Sequence, residues 1–209
     1  METTHSTPSV RGAGRPRSEA ARQAILGAAF RLTKNEGFSA LTIEEIAREA
    51  GVGKPTIYRW WPSKSAIVFE ALLQHAEQTI PEIPEGPLAA NILALLQSLF
   101  RVLSTETGEI LKGLMAEAQR DPAFATLFRT QFITKRREPL LILLRAGKAR
   151  GELAADTNIE ILADLIYGAM WYRLLTHHAP LDEKFAHDIV HTVLPGLLTS
   201  TDNMRHPEF

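Results

Sequence analysis

The sequence predicts an all-α protein of about nine helices, in which a small three-helix N-terminal domain precedes a larger helical domain. Three observations support this fold class. Apolar residues recur at helical spacing from residue 25 onward, helix-capping and helix-stopping residues divide the chain, and no strand-like alternation of useful length occurs. With 209 residues and 45% hydrophobic content, the chain can bury a substantial core.

The N-terminal third contains the signals of two helices that precede a tight turn. Residues 1–14 are rich in Ser, Thr, Pro and Gly, and we expect them to form a flexible arm. The first helix follows and ends at Gly37, because glycine readily adopts the left-handed conformation found after a helix. Thr42 and Glu45 form a predicted capping box, in which each side chain accepts a hydrogen bond from the other residue's amide. Gly51 ends this short second helix.

A third short helix is predicted from about Lys54 to Trp60. Pro55 falls in its first turn, where the amide that proline lacks would have no partner within the helix. Ile57 and Trp61 are one turn apart, and we expect both to pack inward. Two short helices joined by a glycine turn form a helix-turn-helix unit. On spacing alone, an amphipathic hairpin with a solvated charged face is the alternative.

The rest of the chain is predicted to be helical except for one proline-rich segment. A helix capped by Ser63 runs to about Thr79, and Ile80–Pro87, with three prolines, is the expected hinge between the domains. Further helices are predicted at 88–103, 108–120, 121–150 with a kink at Pro139, 161–177 and 182–198, before a flexible tail at 199–209. Thr157 and Glu160 form a second predicted capping box.

Composition and charge exclude several classes of protein. The chain has no cysteine, no run of about eighteen apolar residues and no apolar segment in its polar N-terminus. We therefore expect a cytoplasmic protein without disulfides, signal peptide or membrane span. Residues 1–65 carry 10 Lys and Arg against 6 Asp and Glu, whereas the remaining residues carry 13 against 18. This asymmetry indicates that only the first third meets a polyanion.

The signals of an enzyme are weak. No nucleophile elbow, phosphate loop or dinucleotide fingerprint occurs in the sequence. His187 and His191 have the spacing of a zinc-protease box, but Asp188 replaces its glutamate and no third ligand is evident. Two histidines on a solvated helix face are the better interpretation. We expect no enzymatic activity, no cofactor and no metal.

Six segments of the first third carry a resemblance to a known family. They are Gly14-Arg-Pro-Arg17, Ala24-Ile-Leu-Gly-Ala-Ala-Phe30, Gly37-Phe38, Leu41-Thr-Ile-Glu-Glu-Ile-Ala47, Gly51-Val-Gly-Lys-Pro-Thr-Ile-Tyr58 and Pro62-Ser-Lys64. Their order resembles the DNA-binding domain of the TetR family of transcriptional repressors over about residues 15–70. The resemblance implies a helix-turn-helix DNA-binding domain at 15–65 and a ligand-binding and dimerisation domain at 66–198. It also implies a homodimer that binds a palindromic double-stranded DNA operator and is released by a small, largely apolar effector.

The same resemblance implies which residues contact DNA. The matching positions are Thr42, Lys54, Pro55, Thr56, Tyr58, Arg59, Trp60 and Lys64. By resemblance, the helix end at Thr42 and the side chains of Tyr58 and Lys64 contact phosphates. Arg59 and Trp60 stand at variable positions and are therefore the candidates for operator selection. Arg15 and Arg17 either enter the minor groove or only keep the N-terminal arm soluble, and both interpretations stay open.

The larger domain resembles one variety of the family's effector domain. The resemblance implies that the last two long helices form a four-helix bundle with those of a second copy. The expected dimer contacts are Leu165, Tyr167, Gly168, Trp171, Leu175, Phe185, Ile189 and Val193. Independently, the helix that starts near residue 161 has apolar residues on more than one stripe, so it needs apolar neighbours on two sides. Burial of this helix within one monomer is the alternative.

A ligand pocket is expected between these two helices and the ones before them. Its candidate lining residues are Phe100, Met115, Phe124, Phe128, Phe132, Met170 and Trp171, with Gln97 and Gln119 as polar anchors. Ordinary core packing is the alternative for each residue. A second function also stays open, a DNA-binding adaptor whose helical domain binds a protein partner. The absence of a cavity near Phe128 and Trp171 would favour the adaptor.

Overall fold

The computed structural model describes residues 15–76 and 86–194. The predicted arm at 1–14, the hinge up to residue 85, the tail at 199–209 and the side chains of Arg15 and Arg17 lie outside the described residues. The described helices are α1 (Arg15–Glu36), α2 (Ile43–Glu49), α3 (Lys54–Tyr58), α4 (Lys64–Ala76), α5 (Leu88–Leu103), α6 (Glu106–Ala118), α7 (Pro122–Phe128), α8 (Thr134–Ala149), α9 (Ile159–Thr176) and α10 (Glu183–Val193).

The all-α prediction is confirmed, and the described residues contain no strand. Helices α7 and α8 are joined without a break by a π-helical turn at Arg129–Ile133, so the described chain forms nine continuous helical segments. The departure from α-helical hydrogen bonding lies at this π turn, whereas Pro139, the predicted kink, lies within α8. The π turn follows Phe128 and contains Phe132, two rings that pack against Phe69 of α4.

The predicted helix boundaries follow the caps closely, with two differences. The capping box of Thr42 and Glu45 is present, and Gly37 and Gly51 have φ values of 83° and 66° after their helices. The second predicted capping box, at Thr157, is wrong by one residue. The cap of α9 is Asn158, whose side-chain oxygen accepts from Glu160 N at 3.1 Å and Ile161 N at 3.3 Å. Asparagine caps a helix as well as threonine does, so the motif alone cannot choose between neighbouring caps.

Helix α6 shows the other difference, since it begins at Glu106 rather than at the predicted Gly108. Its cap is Thr105, whose hydroxyl accepts a hydrogen bond from Thr107 N at 3.3 Å. Two residues, Ser104 and Thr105, therefore separate α5 from α6, and each of them caps one of the two helices.

Helix α4 joins the two parts of the molecule. In the N-terminal part, α4 packs on α1, while α2 packs on α1 and α3. In the larger part, α5 packs on α6, α8 and α10, and α9 packs on α6, α8 and α10. Helix α4 also contacts α6 and α7, so the buried side chains form one continuous hydrophobic cluster through both parts. The boundary predicted at residue 65 therefore falls at the start of the helix that the two parts share.

A close approach of α6 and the N-terminal part occurs at Gly113. A Cβ atom added there would lie 2.6 Å from Phe38 Cβ and 2.8 Å from Phe38 Cγ. Only glycine permits this distance, because real Cβ atoms do not approach other heavy atoms so closely. Gly113 thus lets the segment between α1 and α2 rest directly on α6.

Among the described residues, no single helix is long and apolar enough to cross a membrane. The pair α5 and α6 reaches that length and composition only when the two helices are taken together across an 84° bend.

Candidate nucleic-acid interface and effector cavity

The third short helix has the inward and outward faces that the sequence predicts. Ile57 and Trp61 are buried, and Ile46 of α2 is buried with them in the same cluster. Tyr58 and Trp60 project from the opposite face, with 55% and 40% of their surface exposed. Among the other predicted DNA contacts, Lys54, Pro55 and Arg59 are exposed and Thr56 is half-buried. An exposed set of two aromatic rings, two cations and a hydroxyl suits both phosphates and base edges.

The beginnings of α2 and α3 lie side by side on this surface. Lys54 Nζ donates to Glu44 Oε1 at 2.5 Å. This hydrogen bond is the main reason why the pKa of Glu44 lies below its ordinary value and that of Lys54 above. The Thr42 hydroxyl accepts from Glu45 N at 3.2 Å and donates to the Glu45 carboxylate at 2.7 Å. Thr42 therefore fixes the start of α2 through its own capping box.

Arg59 and Trp60 are adjacent in space as well as in sequence. The Arg59 guanidinium lies 5.8 Å from the centre of the Trp60 ring, within the range of a cation–π contact. The Trp60 and Trp61 ring centres are 6.3 Å apart. Buried Trp61 thus supports the exposed pair from below.

Glu70 of α4 is a positioning residue that the sequence analysis missed. Its carboxylate accepts a hydrogen bond from Trp61 Nε1 at 2.7 Å and pairs with Arg22 of α1. Arg22 lies in α1, Glu70 in α4 and Trp61 in the turn after α3, and their spacing in the sequence gives no periodic signal that would bring them together. Glu70 holds the turn after α3 against α1 and α4.

Lys64 has a different environment from the one the family resemblance implies. Its half-buried ammonium donates to Phe38 O at 3.0 Å and to Leu41 O at 2.8 Å, and it lies 4.7 Å from the centre of the Phe38 ring. These contacts hold Lys64 in the free protein, and its pairing with a phosphate stays a prediction.

The contacts of Lys64 predict a loss of stability on its removal. Lys64→Met should lower the free energy of unfolding by roughly 1–3 kcal/mol, because two partly buried carbonyls lose their charged donor. Urea unfolding followed by circular dichroism measures this change. The matched control is Lys54→Met, which removes an exposed ion pair and should leave the free energy of unfolding nearly unchanged. Equal stabilities of the two variants would refute the structural role of Lys64.

A partly open cavity of about 730 Å³ lies in the larger part of the molecule. Helices α4, α5, α6, α8 and α9 and the π turn contribute its walls, which are mainly aliphatic and aromatic. Of the nine predicted ligand-binding residues, Phe132, Met170 and Trp171 line this cavity. The volume falls in the range of pockets that take small organic molecules.

The six other predicted ligand-binding residues do not line the cavity. Phe124 and Phe128 pack on Phe69 at ring distances of 5.7 Å and 5.6 Å, and Phe100 stacks on Phe185 at 5.5 Å. Met115, Gln97 and Gln119 also lie outside the lining, and Gln119 Nε2 is 4.0 Å from Met115 Sδ. Helical periodicity identifies an inward face, but it does not tell whether that face meets another helix or a cavity.

The polar groups of the cavity were not predicted from the sequence. They include His75, Ser98, Arg101, Arg136, Arg137 and Asp164. Arg137 is held by Asp164 and by Glu160, the latter at 2.9 Å. The Tyr167 hydroxyl donates to Arg136 O at 2.8 Å, and burial raises the pKa of Tyr167 to about 12. Tyr167 is therefore a neutral donor near pH 7.

The predicted dimer contacts divide into exposed and buried residues. Leu165, Gly168 and Leu175 are exposed on α9. In contrast, Tyr167, Phe185 and Ile189 are buried within the chain itself, so they offer little surface to a second copy. Trp171 lines the cavity and Val193 is half-buried. The outward face of α10 carries Glu183, Lys184, His187, Asp188, His191 and Thr192.

The exposed histidines of α10 do not form part of a larger ligand set. In the part of the chain that the structure describes, no three His, Cys, Asp or Glu side chains are grouped so that they could hold a metal ion. Asp188 instead pairs with Lys184 at 2.7 Å, and this hydrogen bond lowers the pKa of Asp188.

Two family models match the chain, one in each part. Residues 25–71 match the model of bacterial regulatory proteins of the tetR family. Residues 82–193 match the model of the tetracyclin repressor-like C-terminal domain.

Whole proteins give the same result. The chain is 35% identical over 193 residues to the uncharacterized HTH-type transcriptional regulator YdeS of Bacillus subtilis, covering 91% of this chain and 98% of YdeS. The sequence is also 34% identical to that of the TetR family transcription regulator SCO0332. The crystal structure of SCO0332 superposes with a TM-score of 0.70 over 84% of this chain and 97% of the SCO0332 chain.

Two solved structures share the fold at lower identity and contain small molecules. Bacillus subtilis FadR in complex with stearoyl-CoA has a TM-score of 0.65 at 17% identity, over 83% of this chain and 98% of FadR. A putative transcriptional regulator from Saccharomonospora viridis in complex with choline has a TM-score of 0.64 at 19% identity, over 85% of this chain and 97% of the Saccharomonospora chain. Together with the two matching models and the full-length similarity to YdeS, the helix-turn-helix surface shows that this chain belongs to the TetR family of transcriptional regulators.

Proposed function

We propose that the chain is a transcriptional repressor that binds a palindromic operator as a homodimer in the cytoplasm and is released by a small, largely apolar effector. The observation that carries this proposal is the course of α4. Its first residue, Lys64, lies against the segment that precedes α2. Its last turns supply Leu72 and His75 to the wall of the cavity. One rigid helix thus touches both the DNA-binding part and the effector cavity.

The geometry of α4 supports a mechanical route for release. A molecule that pushes on Leu72 and His75 shifts the far end of α4, and Glu70, two residues before Leu72, holds Trp61 in the turn after α3. In a dimer, the α3 helices of the two copies must lie about 34–36 Å apart to enter successive major grooves. A small rotation of α4 in each copy changes that separation.

Release requires that the effector distinguish the two arrangements of the protein. A tenfold weakening of operator affinity needs about 1.4 kcal/mol of differential effector affinity between them. By reciprocity, operator DNA must weaken the effector by the same factor. An effector that binds equally to free and operator-saturated protein would exclude this route.

The cavity favours a small molecule over a protein partner for the larger domain. The adaptor hypothesis predicts no cavity near Phe128 and Trp171, yet about 730 Å³ is available beside Trp171. Stearoyl-CoA and choline, the molecules in the two ligand-bound relatives of this fold, differ greatly in chemistry. The shared fold thus accommodates small organic molecules without fixing their class, and the apolar walls of this cavity indicate a largely apolar one.

Selection of binding sites from random duplex DNA tests the proposed operator binding. The selected sequences should be palindromic, with half-sites about one helical turn apart or somewhat more. Recovery of only non-palindromic or unrelated sequences would contradict a dimeric, sequence-specific regulator.

Arg59 should determine one base position of that operator. Arg59→Ala should cost about 1–3 kcal/mol at the base pair it reads, because a bidentate contact with guanine is lost. The same variant should lose much less affinity for random DNA. The matched control is Arg48→Ala, which removes an equally exposed arginine from α2 and should leave base preference unchanged. Equal losses on operator and random DNA for Arg59→Ala would show a phosphate contact instead.

A further inference from the structure

Helix α9 carries an apolar stripe that no other part of the described chain covers. Ile161, Leu165, Tyr172 and Leu175 are each between 47% and 61% exposed. Their spacing of four, seven and three residues places them on one face of the helix. Four large apolar side chains in one row are unusual on a monomer surface and indicate an interface.

The stripe is nearly symmetric about Gly168. Two large apolar residues lie seven and three positions before this glycine, and two lie four and seven positions after it. A Cβ atom at Gly168 would have no neighbour within 4 Å among the residues that the structure describes, so the centre of the stripe is an open notch. A two-fold interface pairs the same patch on both subunits, and an antiparallel crossing at Gly168 would set Tyr172 of each copy opposite Leu165 of the other.

The lip of the effector cavity lies on the flank of this same stripe. Asp164, Gly168 and Trp171 line the cavity and follow one another at helical spacing along α9. Gly168 belongs to both sets, because it is exposed at the centre of the stripe and it borders the cavity. A second copy that covers the stripe must therefore also cover this side of the opening.

We propose that the effector cavity is a site shared between two copies of this chain, in which α9 of the second copy forms the outer wall along the lip at Asp164, Gly168 and Trp171. This inference rests on the homodimer and the effector site of the proposed function. An effector in the cavity then contacts both copies, so its binding stabilises the dimer and the dimer increases its affinity. The single chain is an incomplete receptor.

A single introduced cysteine tests the shared wall without knowledge of the effector. The chain has no cysteine, so one thiol can be followed alone. Ile133 lines the cavity one helical turn before Arg137, which contacts Asp164 at the lip. In the dimer, the thiol of Ile133→Cys should react with a maleimide reagent about 10-fold more slowly than in a monomer, because the core of an interface packs as densely as a protein interior.

The monomer for this comparison is Ile133→Cys combined with Leu165→Glu, and the matched control combines Ile133→Cys with Leu127→Glu. Leu127 is an exposed leucine of α7 outside the stripe, so its variant should stay dimeric and react slowly. If Leu165→Glu does not fold, the reaction rate of the single-cysteine protein is measured during dilution through dimer dissociation. In both designs, the rate should rise as the dimer fraction falls.

The two failures are distinguishable. If the single-cysteine protein is a monomer at micromolar concentration, the proposed homodimer is wrong, and the shared wall is wrong with it. If it is a dimer whose thiol reacts as fast as that of the monomer, the dimer stands and the shared wall is overturned.

Discussion

Leu165→Glu is expected to convert the proposed dimer into a folded monomer and to lower operator affinity by about 100-fold or more, since joining two binding modules raises affinity by about 10²–10⁴. In a single chain this change costs little, because 60% of Leu165 is exposed. In a dimer packed on the α9 stripe it buries two unpaired carboxylates, and buried charges without partners are strongly unfavourable. Sedimentation equilibrium and operator titration measure the two effects.

Leu127→Glu is the control for the added charge and the lost leucine. It adds the same carboxylate at another exposed leucine, so it should leave both the dimer and operator affinity nearly unchanged. Thermal unfolding of both variants establishes whether each is folded. A folded Leu165→Glu protein that stays dimeric and binds the operator as the parent does would exclude the α9 stripe as the interface.

The helices could be predicted from the sequence because their ends are determined by local chemistry. The capping box at Thr42 and the N-caps at Asp121 and Asp182 all depend on side chains that reach amides two or three residues away. Left-handed glycines end several helices for an equally local reason. The first errors appear where two adjacent residues cap equally well, as at Thr157 and Asn158.

The residues of the cavity could not be predicted because their surroundings depend on distant parts of the chain. Phe128 and Phe132 are four apart and both buried, yet only Phe132 borders the cavity. Both rings pack on Phe69 of α4, more than fifty residues away in the sequence, so the position of each ring relative to the cavity depends on a distant part of the chain. The backbone contacts of Lys64 could not be predicted for the same reason, since the carbonyls that accept from it lie in another segment. Helical periodicity predicts which side chains are buried. Whether a buried side chain lines a cavity depends on which other elements face it.

Gly113→Ala is expected to weaken operator binding by about 10-fold or more in the absence of any effector, a loss of about 1.4 kcal/mol. The added methyl group would lie 2.6 Å from Phe38 Cβ, so α6 and the segment before α2 must move apart. Lys64, the first residue of α4, holds the Phe38 and Leu41 carbonyls and would be displaced with them. The variant thus pushes α6, which lines the cavity, away from the DNA-binding part. Fluorescence titration of a labelled operator, well below the unfolding temperature, measures the loss.

Two opposing effects determine the free energy of unfolding of Gly113→Ala. Alanine is favoured over glycine in a helix by about 1 kcal/mol, whereas overpacking a tight contact costs about 1–3 kcal/mol. Gly27→Ala isolates the first effect, because its only close neighbour is the flexible end of Arg31 at 3.3 Å, and it should leave operator affinity unchanged. Adding Phe38→Ala to Gly113→Ala removes two of the three clashing atoms and should restore part of the affinity. If Gly113→Ala binds the operator as tightly as Gly27→Ala does, the contact between α6 and Phe38 does not control the DNA-binding geometry, and α4 alone must carry the signal from the cavity.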